Sequence, residues 1–297
     1  MATSLPDQVR AACADIAANA RSVRIDPDRL EALDPGPPPE MDAERHYLEG
    51  DPAAVAAYVL ALDAINFGSG WFPTLRKRRG PDGTAVSGYF TVSWGLADRF
   101  RALGPWTNAE LRAMRTEAIA DVLGQPPGHE LMALFAQALR QLGGFLGERS
   151  ALDVVAAADG SAVRLAEMLA GGMSMFADHG FYKRAQITAS DLELAGIASY
   201  GDIDRLTIFA DNLVPHVLRC DGVLVYDERL AAHIDAGRRL RPGPQEREIR
   251  ACAVHACALL ARRTGMTERD IDNALWTRGG APEYKAIPRH RCQTIFY

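Results

Sequence analysis

Gly201-Asp-Ile-Asp-Arg-Leu-Thr-Ile-Phe-Ala-Asp-Asn-Leu-Val-Pro-His-Val-Leu-Arg219 is the stretch on which the fold turns. Ile203, Leu206, Ile208 and Phe209 suit a short amphipathic helix after the polar turn at Gly201, ended by Ala210. Leu213, Val214, Val217 and Leu218 then recur at helical spacing. Pro215 falls in the first turn of this second helix, where a missing N–H costs least. Gly222 suits its C-terminal cap. Asp211 is therefore expected at the N-cap, its carboxylate held by backbone N–H groups at a positive helix end. Two short helices joined at a capping acid imply a mainly helical protein. Abundant Ala, few β-branched runs, and Gly and Pro clustered in connections point the same way. The expected class is all-α, with at most a few short strands.

Asp211 has two readings from spacing alone: a structural cap, or a fixed carboxylate facing a substrate cation. The pattern Asp-x-x-Val-x-x-Val-x-Arg after a short helix resembles the catalytic end of the helix-hairpin-helix DNA glycosylases. In those enzymes the resemblance implies an aspartate that stabilises the sugar cation as the base leaves. Their Gly-rich hairpin is absent, and Tyr200-Gly201-Asp202 stands in its place.

At 297 residues and 48% hydrophobic, the chain can bury a sizeable core as one helical domain, residues 1–297, or as two packed helical lobes. A net charge of −5 and a pI near 5.8 argue against a nucleic-acid partner, which calls for a basic surface. The basic turn Arg76-Lys77-Arg78-Arg79 reads as a solvated loop tip or a phosphate contact. Five cysteines without framework spacing, no signal peptide and no long apolar run predict a cytoplasmic protein with free thiols and no membrane partner. Cys252, His255 and Cys257 do not share one helix face, so core packing is expected there and no metal.

Along the chain, residues 5–25 read as a first helix. Asp51 caps a buried helix that starts at Pro52 and ends in an aromatic, Gly-rich loop at 66–73. Gly88 to Trp94 suits either a strand or the start of a helix. Thr107 and Glu110 form a capping box for a helix over 106–124, and another helix spans 130–146. Lys183 and Arg184 open a helix over 183–194 against its dipole. Their partner is expected to be a phosphate or an internal carboxylate such as Asp202. Val223 to Tyr226 is β-like, 246–263 is a strong helix, and Thr267 caps another. The apolar tail to Tyr297 is expected to dock into the fold.

Asp272 is the second informative acid. It lies close to the buried stripe of Ile271, Ala274 and Leu275 and so needs a partner. Either an arginine such as Arg250 or Arg289 pairs with it, or it accepts two N–H donors from a guanine-like base edge. Phe181-Tyr-Lys-Arg-Ala-Gln-Ile187, Phe209-Ala-Asp211, Val214-Pro-His-Val-Leu-Arg219, Glu248-Ile-Arg-Ala251, Asp272 with Leu275-Trp276, and Pro288-Arg-His-Arg with Thr294-Ile-Phe-Tyr297 together resemble the queuosine salvage proteins. These are the queuosine 5'-phosphate N-glycosylase/hydrolases. Weaker similarity at Leu62-Asp63-Ala64-Ile65-Asn66-Phe67 extends the likeness over most of the chain. The resemblance implies a helical glycosylase-like fold, a small nucleotide as substrate, queuine as product, and no metal or organic cofactor. It also implies Asp211 as the catalytic carboxylate, Phe209 lining the base site and Asp272 reading the base edge. Asn273 and Trp276 beside Asp272 are counted in the substrate site. Family members often carry an aromatic residue and a further acid where this chain has Asn273 and Thr277. Lys183 is the candidate phosphate contact, on its position alone.

Overall fold

The computed structural model describes residues 3–297. It opens with α1 (Leu5–Asn19), β1 (Val23–Ile25), α2 (Pro27–Ala32) and α3 (Pro52–Ala64). Then follow α4 (Gly88–Leu103), α5 (Asn108–Arg112), α6 (Thr116–Val122), α7 (Glu130–Leu146), α8 (Ala151–Ala157), α9 (Ala162–Gly172) and α10 (Lys183–Leu194). After them come α11 (Val214–Cys220), β2 (Leu224–Tyr226), α12 (Glu228–Asp235), α13 (Pro244–Thr264), α14 (Glu268–Arg278) and α15 (Pro282–Lys285). The chain is mainly helical, and its one sheet among the described residues is the antiparallel pair β1–β2.

The helix starts follow from local chemistry. Asp51 accepts from the N–H groups of Ala53 and Ala54, with Pro52 at the first position of α3. Thr107 and Glu110 form the expected capping box, but the helix stops at Arg112 and resumes at Thr116, so 106–124 is two helices. Ser87 caps α4, which settles Gly88–Trp94 as helix. The first helix ends at Asn19, because Val23–Ile25 leaves it to pair with Leu224–Tyr226.

Buried side chains form two clusters. One is built from α3 through α10 and includes Tyr58, Phe67, Phe100 and Phe135. The other joins α1, β1, β2, α11, α12, α13 and α14, around Val9, Val217, Leu218 and Ile249. Burying a side chain of this size contributes roughly 1.5–3 kcal/mol. Cys252 and Cys257 are packed inside the second cluster.

The segment 206–210 runs along the seam. Leu206 and Phe209 belong to the first cluster, Ile208 and Ala210 to the second. The tail is docked as expected. Tyr297 O accepts from Gly68 N–H at 2.9 Å, Ile295 O from Arg184 Nη2 at 2.8 Å, and Asn212 Nδ2 donates to His290 O at 3.1 Å.

Candidate active site

The expected helix over 203–209 does not form. One 3-10 turn, Ile203–Arg205, is followed by extended chain. Ile208, Phe209 and Ala210 alternate between the two clusters, which extended chain allows because a strand alternates its faces and a single helical turn does not. Side chains then satisfy the backbone that a helix would have paired. Gln186 Oε1 accepts from Thr207 N–H, and Asp272 Oδ1 accepts from Phe209 N–H, both at 2.9 Å. Arg250 Nε donates to Ala210 O at 2.8 Å. Arg250 is itself gripped by Asp178 and lies over the Phe181 ring, 3.9 Å from its centroid.

This pinned segment delivers Asp211. Its Oδ1 accepts from Leu213 N–H at 2.6 Å and Val214 N–H at 3.3 Å. Asp211 is not the N-cap itself: Leu213 holds that position without a side-chain cap bond, and Asp211 stands two residues earlier, its carboxylate holding the N–H groups of Leu213 and of Val214, the first residue of α11. Gly222, at φ +80°, follows the helix in the left-handed region that glycine adopts without strain. Asp211 remains half-buried, with Oδ2 free of hydrogen bonds among the described residues.

Asp272 is buried in α14 and pairs with neither Arg250 nor Arg289, contrary to the ion-pair reading. Arg250 is already committed to Asp178. Burial first, and then the Asp211 charge, push the Asp272 carboxyl up to about 8. Buried Lys183 feels Asp211 and Asp63, and its Nζ donates to Asn66 O at 3.1 Å. Burial lowers its pKa and those carboxylates oppose the fall. Asp202, the other partner considered for Lys183, instead accepts from Ser161 Oγ and Ala162 N–H, both at 2.6 Å. Asp211, Asp272, Lys183 and the Phe209 backbone thus meet at one place. The Phe209 side chain is buried at the seam. Trp276, one turn beyond Asp272, is half-buried and packs edge-on against Tyr89, with centroids 5.4 Å apart. Asn273 is half-buried beside it.

Two carboxyls escaped sequence reasoning as site members. Asp63 of α3 is fully buried, and Asp191 of α10 nearly so; burial raises both, and Asp63 adds to the rise at Asp191. The available signals were an acid inside the apolar run of α3, and the spacing of Lys183 and Asp191 on one face of α10. A surface cleft of about 370 Å³ lined by Arg10, Ala14, Val254 and His255 lies between α1 and α13 and contains none of these groups.

The Asp272 shift has a thermodynamic consequence. The unfolded carboxyl loses its proton near 3.8, whereas the folded one keeps it to about 8. The native state then binds more protons, so this group makes stability fall as pH rises between those values. Asp272→Asn keeps an acceptor for Phe209 N–H and removes that slope. The variant should match the parent near pH 4 and exceed it by about a few kcal/mol at most near pH 8. Urea unfolding of both proteins at a series of pH values measures the gap; a constant gap contradicts the raised Asp272.

The profile of the queuosine salvage protein family matches residues 45–297. A Sphaerobacter thermophilus protein named queuosine 5'-phosphate N-glycosylase/hydrolase is 32% identical over 282 residues, covering 88% of this chain and 86% of the relative. The chain belongs to the queuosine salvage protein family. A Mus musculus protein of the same name is 27% identical, covering 84% of this chain and 83% of the relative. A Dictyostelium discoideum protein of that name is 39% identical over 134 residues, 39% of this chain and 40% of the relative. Asp63, Lys183, Asp191, Phe209, Asp211 and Asp272 all lie within the region the family profile matches, while α1, β1 and α2 precede it. No helix among the described residues is long and apolar enough to cross a membrane.

Proposed function

We propose that this chain hydrolyses the N-glycosidic bond of queuosine 5'-phosphate, giving queuine and ribose 5-phosphate. The observation that carries the proposal is Asp211: one carboxylate oxygen is pinned by two backbone N–H groups, the other is uncommitted, and Asp272 and Lys183 lie within reach of its charge. The family membership and the names of its relatives supply the substrate class.

In the reaction the C1'–N bond breaks with its electron pair leaving on the base. Water forms the new C1'–O bond, and one of its protons balances the departing base. Positive charge develops on the ribose as the bond stretches, and a carboxylate aimed at it stabilises the transition state. The queuine base is a 7-deazaguanine with no N7 to protonate, which places more of the barrier on stabilising the sugar. Asp211 fills that role, as cation stabiliser or as base for the water. Asp272 reads the N1–H and exocyclic amine of the base, with Phe209, Asn273 and Trp276 around it. Lys183 lies within reach of the Asp211 charge from inside the fold and is the candidate phosphate contact. The two clusters act as one domain with the site at their seam, and the free thiols fit the cytosol.

Competing substrates test this reading. Purified protein offered queuosine 5'-phosphate together with duplex DNA carrying modified bases should release queuine alone. Release of bases only from DNA assigns the chain to DNA repair chemistry. Tight nucleotide binding with no release from either makes it a binding module.

A further inference from the structure

One guanidinium group ties together the two elements that carry Asp211 and Asp272. Arg10 Nε donates to Glu268 Oε1 at 2.6 Å, while Arg10 Nη2 donates to Arg205 O at 2.8 Å and to Leu206 O at 3.2 Å. Glu268 is the first residue of α14, and Asp272 follows it one turn later on the same face. Arg205 and Leu206 lead into the extended chain that runs through Phe209 to Asp211. An arginine suits this junction because its planar fork fixes several donors relative to one another.

The start of α1 holds the same turn from the other direction. Arg205 Nη2 donates to Ser4 Oγ at 2.9 Å and to Asp7 Oδ2 at 2.8 Å, and Arg10 Nη1 donates to Asp7 Oδ1 at 3.3 Å. Glu268 is buried, and Arg10 is its one ion-pair partner among the described residues. Burial pushes the Glu268 carboxyl up, and the charge and hydrogen bond of Arg10 oppose the rise. Further along, Phe209 N–H joins the segment to α14 again at Asp272. Gln186 and Arg250 tie the segment to α10 and α13, whereas Arg10 ties it to the start of α14. α1 precedes the region that the family profile matches, so this hold comes from outside that region.

We propose that Arg10 is a positioning residue for the site: from α1 it fixes the segment that delivers Asp211 in register with the helix that carries Asp272. It acts through the Arg205 and Leu206 carbonyls and the Glu268 carboxylate. Arg10 itself lines the surface cleft between α1 and α13, which contains neither Asp211 nor Asp272. A misplacement of about 1 Å at the reacting groups, caused from far away, can cost about 10²-fold in rate. For turnover the assignment rests on the reaction proposed above. The hold itself is tested without substrate, so the two stand or fall separately.

Arg10→Lys is the informative variant. Lysine keeps a cation beside Glu268, but one ammonium on a flexible stem does not reproduce the fork to both carbonyls. Its melting temperature should stay near that of the parent, whereas Arg10→Met, which leaves the buried acid without a partner, should melt lower. Hydrogen exchange read by mass spectrometry should show peptides over 206–214 exchanging about tenfold faster in folded Arg10→Lys, with peptides from α7 unchanged. The kcat for queuine release from queuosine 5'-phosphate should fall by about tenfold or more, with KM within about threefold of the parent. A merely structural Arg10 predicts a folded lysine variant that turns over at the parent rate. If the lysine variant does not fold, Arg10→Gln combined with Glu268→Gln leaves no buried charge unpaired and should show the same faster exchange. Parental exchange over 206–214 in the folded variant, or a parental kcat, overturns the positioning role. A parent that releases no queuine counts against the proposed reaction, and the exchange result still decides the hold.

Discussion

Asp211→Asn should fold as stably as the parent and lose turnover by about 10²-fold or more. The substitution is nearly isosteric. Asparagine retains an oxygen to accept the Leu213 and Val214 N–H groups that Oδ1 holds, and Asn is among the best helix caps. Stability should therefore change by no more than a few tenths of a kcal/mol. What disappears is the negative charge. A neutral amide offers a developing ribose cation far less, and removing one such electrostatic contact in other enzymes costs about 2.7–4 kcal/mol of activation energy. Substrate affinity should weaken much less, because the cation is absent in the ground state. Steady-state kinetics should accordingly show the loss in kcat with KM little changed. Asp211→Ala is the poorer probe, since it also discards the cap at about 1 kcal/mol. An Asp211→Asn protein that melts like the parent and turns over at the parent rate leaves Asp211 as a cap alone.

Asp272→Asn should bind free queuine about 5- to 150-fold more weakly, the equivalent of about 1–3 kcal/mol. The carboxylate can accept both the ring N1–H and the exocyclic amine of the base. The asparagine NH₂ instead meets one of those donors head-on, leaving a buried donor unpaired. The Phe209 N–H bond survives, so the loss reports on the ligand rather than on the seam. Asp272 is held near 8 in the empty site, so it carries a proton at neutral pH and must release it to accept from the base. Calorimetry in buffers of different ionisation enthalpy should show proton release on queuine binding to the parent and little or none with Asp272→Asn. Equal affinity and equal proton release in both proteins return Asp272 to a purely structural acceptor for Phe209.

Signals that are local in sequence survived into the structure. The Asp51-Pro52 start, the Thr107 capping box and the Thr267 cap need only neighbouring residues, and all three are present. The Asp211 carboxylate at the start of α11 was legible for the same reason. The helix over 203–209 was not, because its apolar spacing is too short to fix a period and the choice of extension depends on two clusters meeting there. Partners distant in sequence were harder still. Asp272 accepts from Phe209, 63 residues away, and Arg250 reaches Asp178, 72 residues away. Neither pairing can be read from spacing, and Arg250, the arginine expected at Asp272, is engaged by Asp178. Lys183 feels carboxylates from several elements, Asp211 and Asp63 before Asp191, while Asp202 is engaged by Ser161 and Ala162. In the basic turn at 76–79, Arg78 pairs with Asp98 and Arg79 donates to the Gly83 carbonyl, while Lys77 feels the charges of Arg289 and Arg291.

Glycosidic hydrolysis of a free nucleotide is the central claim, and product stoichiometry tests it most directly. Purified protein should be incubated with excess queuosine 5'-phosphate, and queuine and ribose 5-phosphate should be quantified in the same samples over time. The two products should appear in equal amounts and exceed the protein concentration many times over. Nucleotide that stays intact while bound to folded protein, or queuine without matching ribose 5-phosphate, contradicts the account.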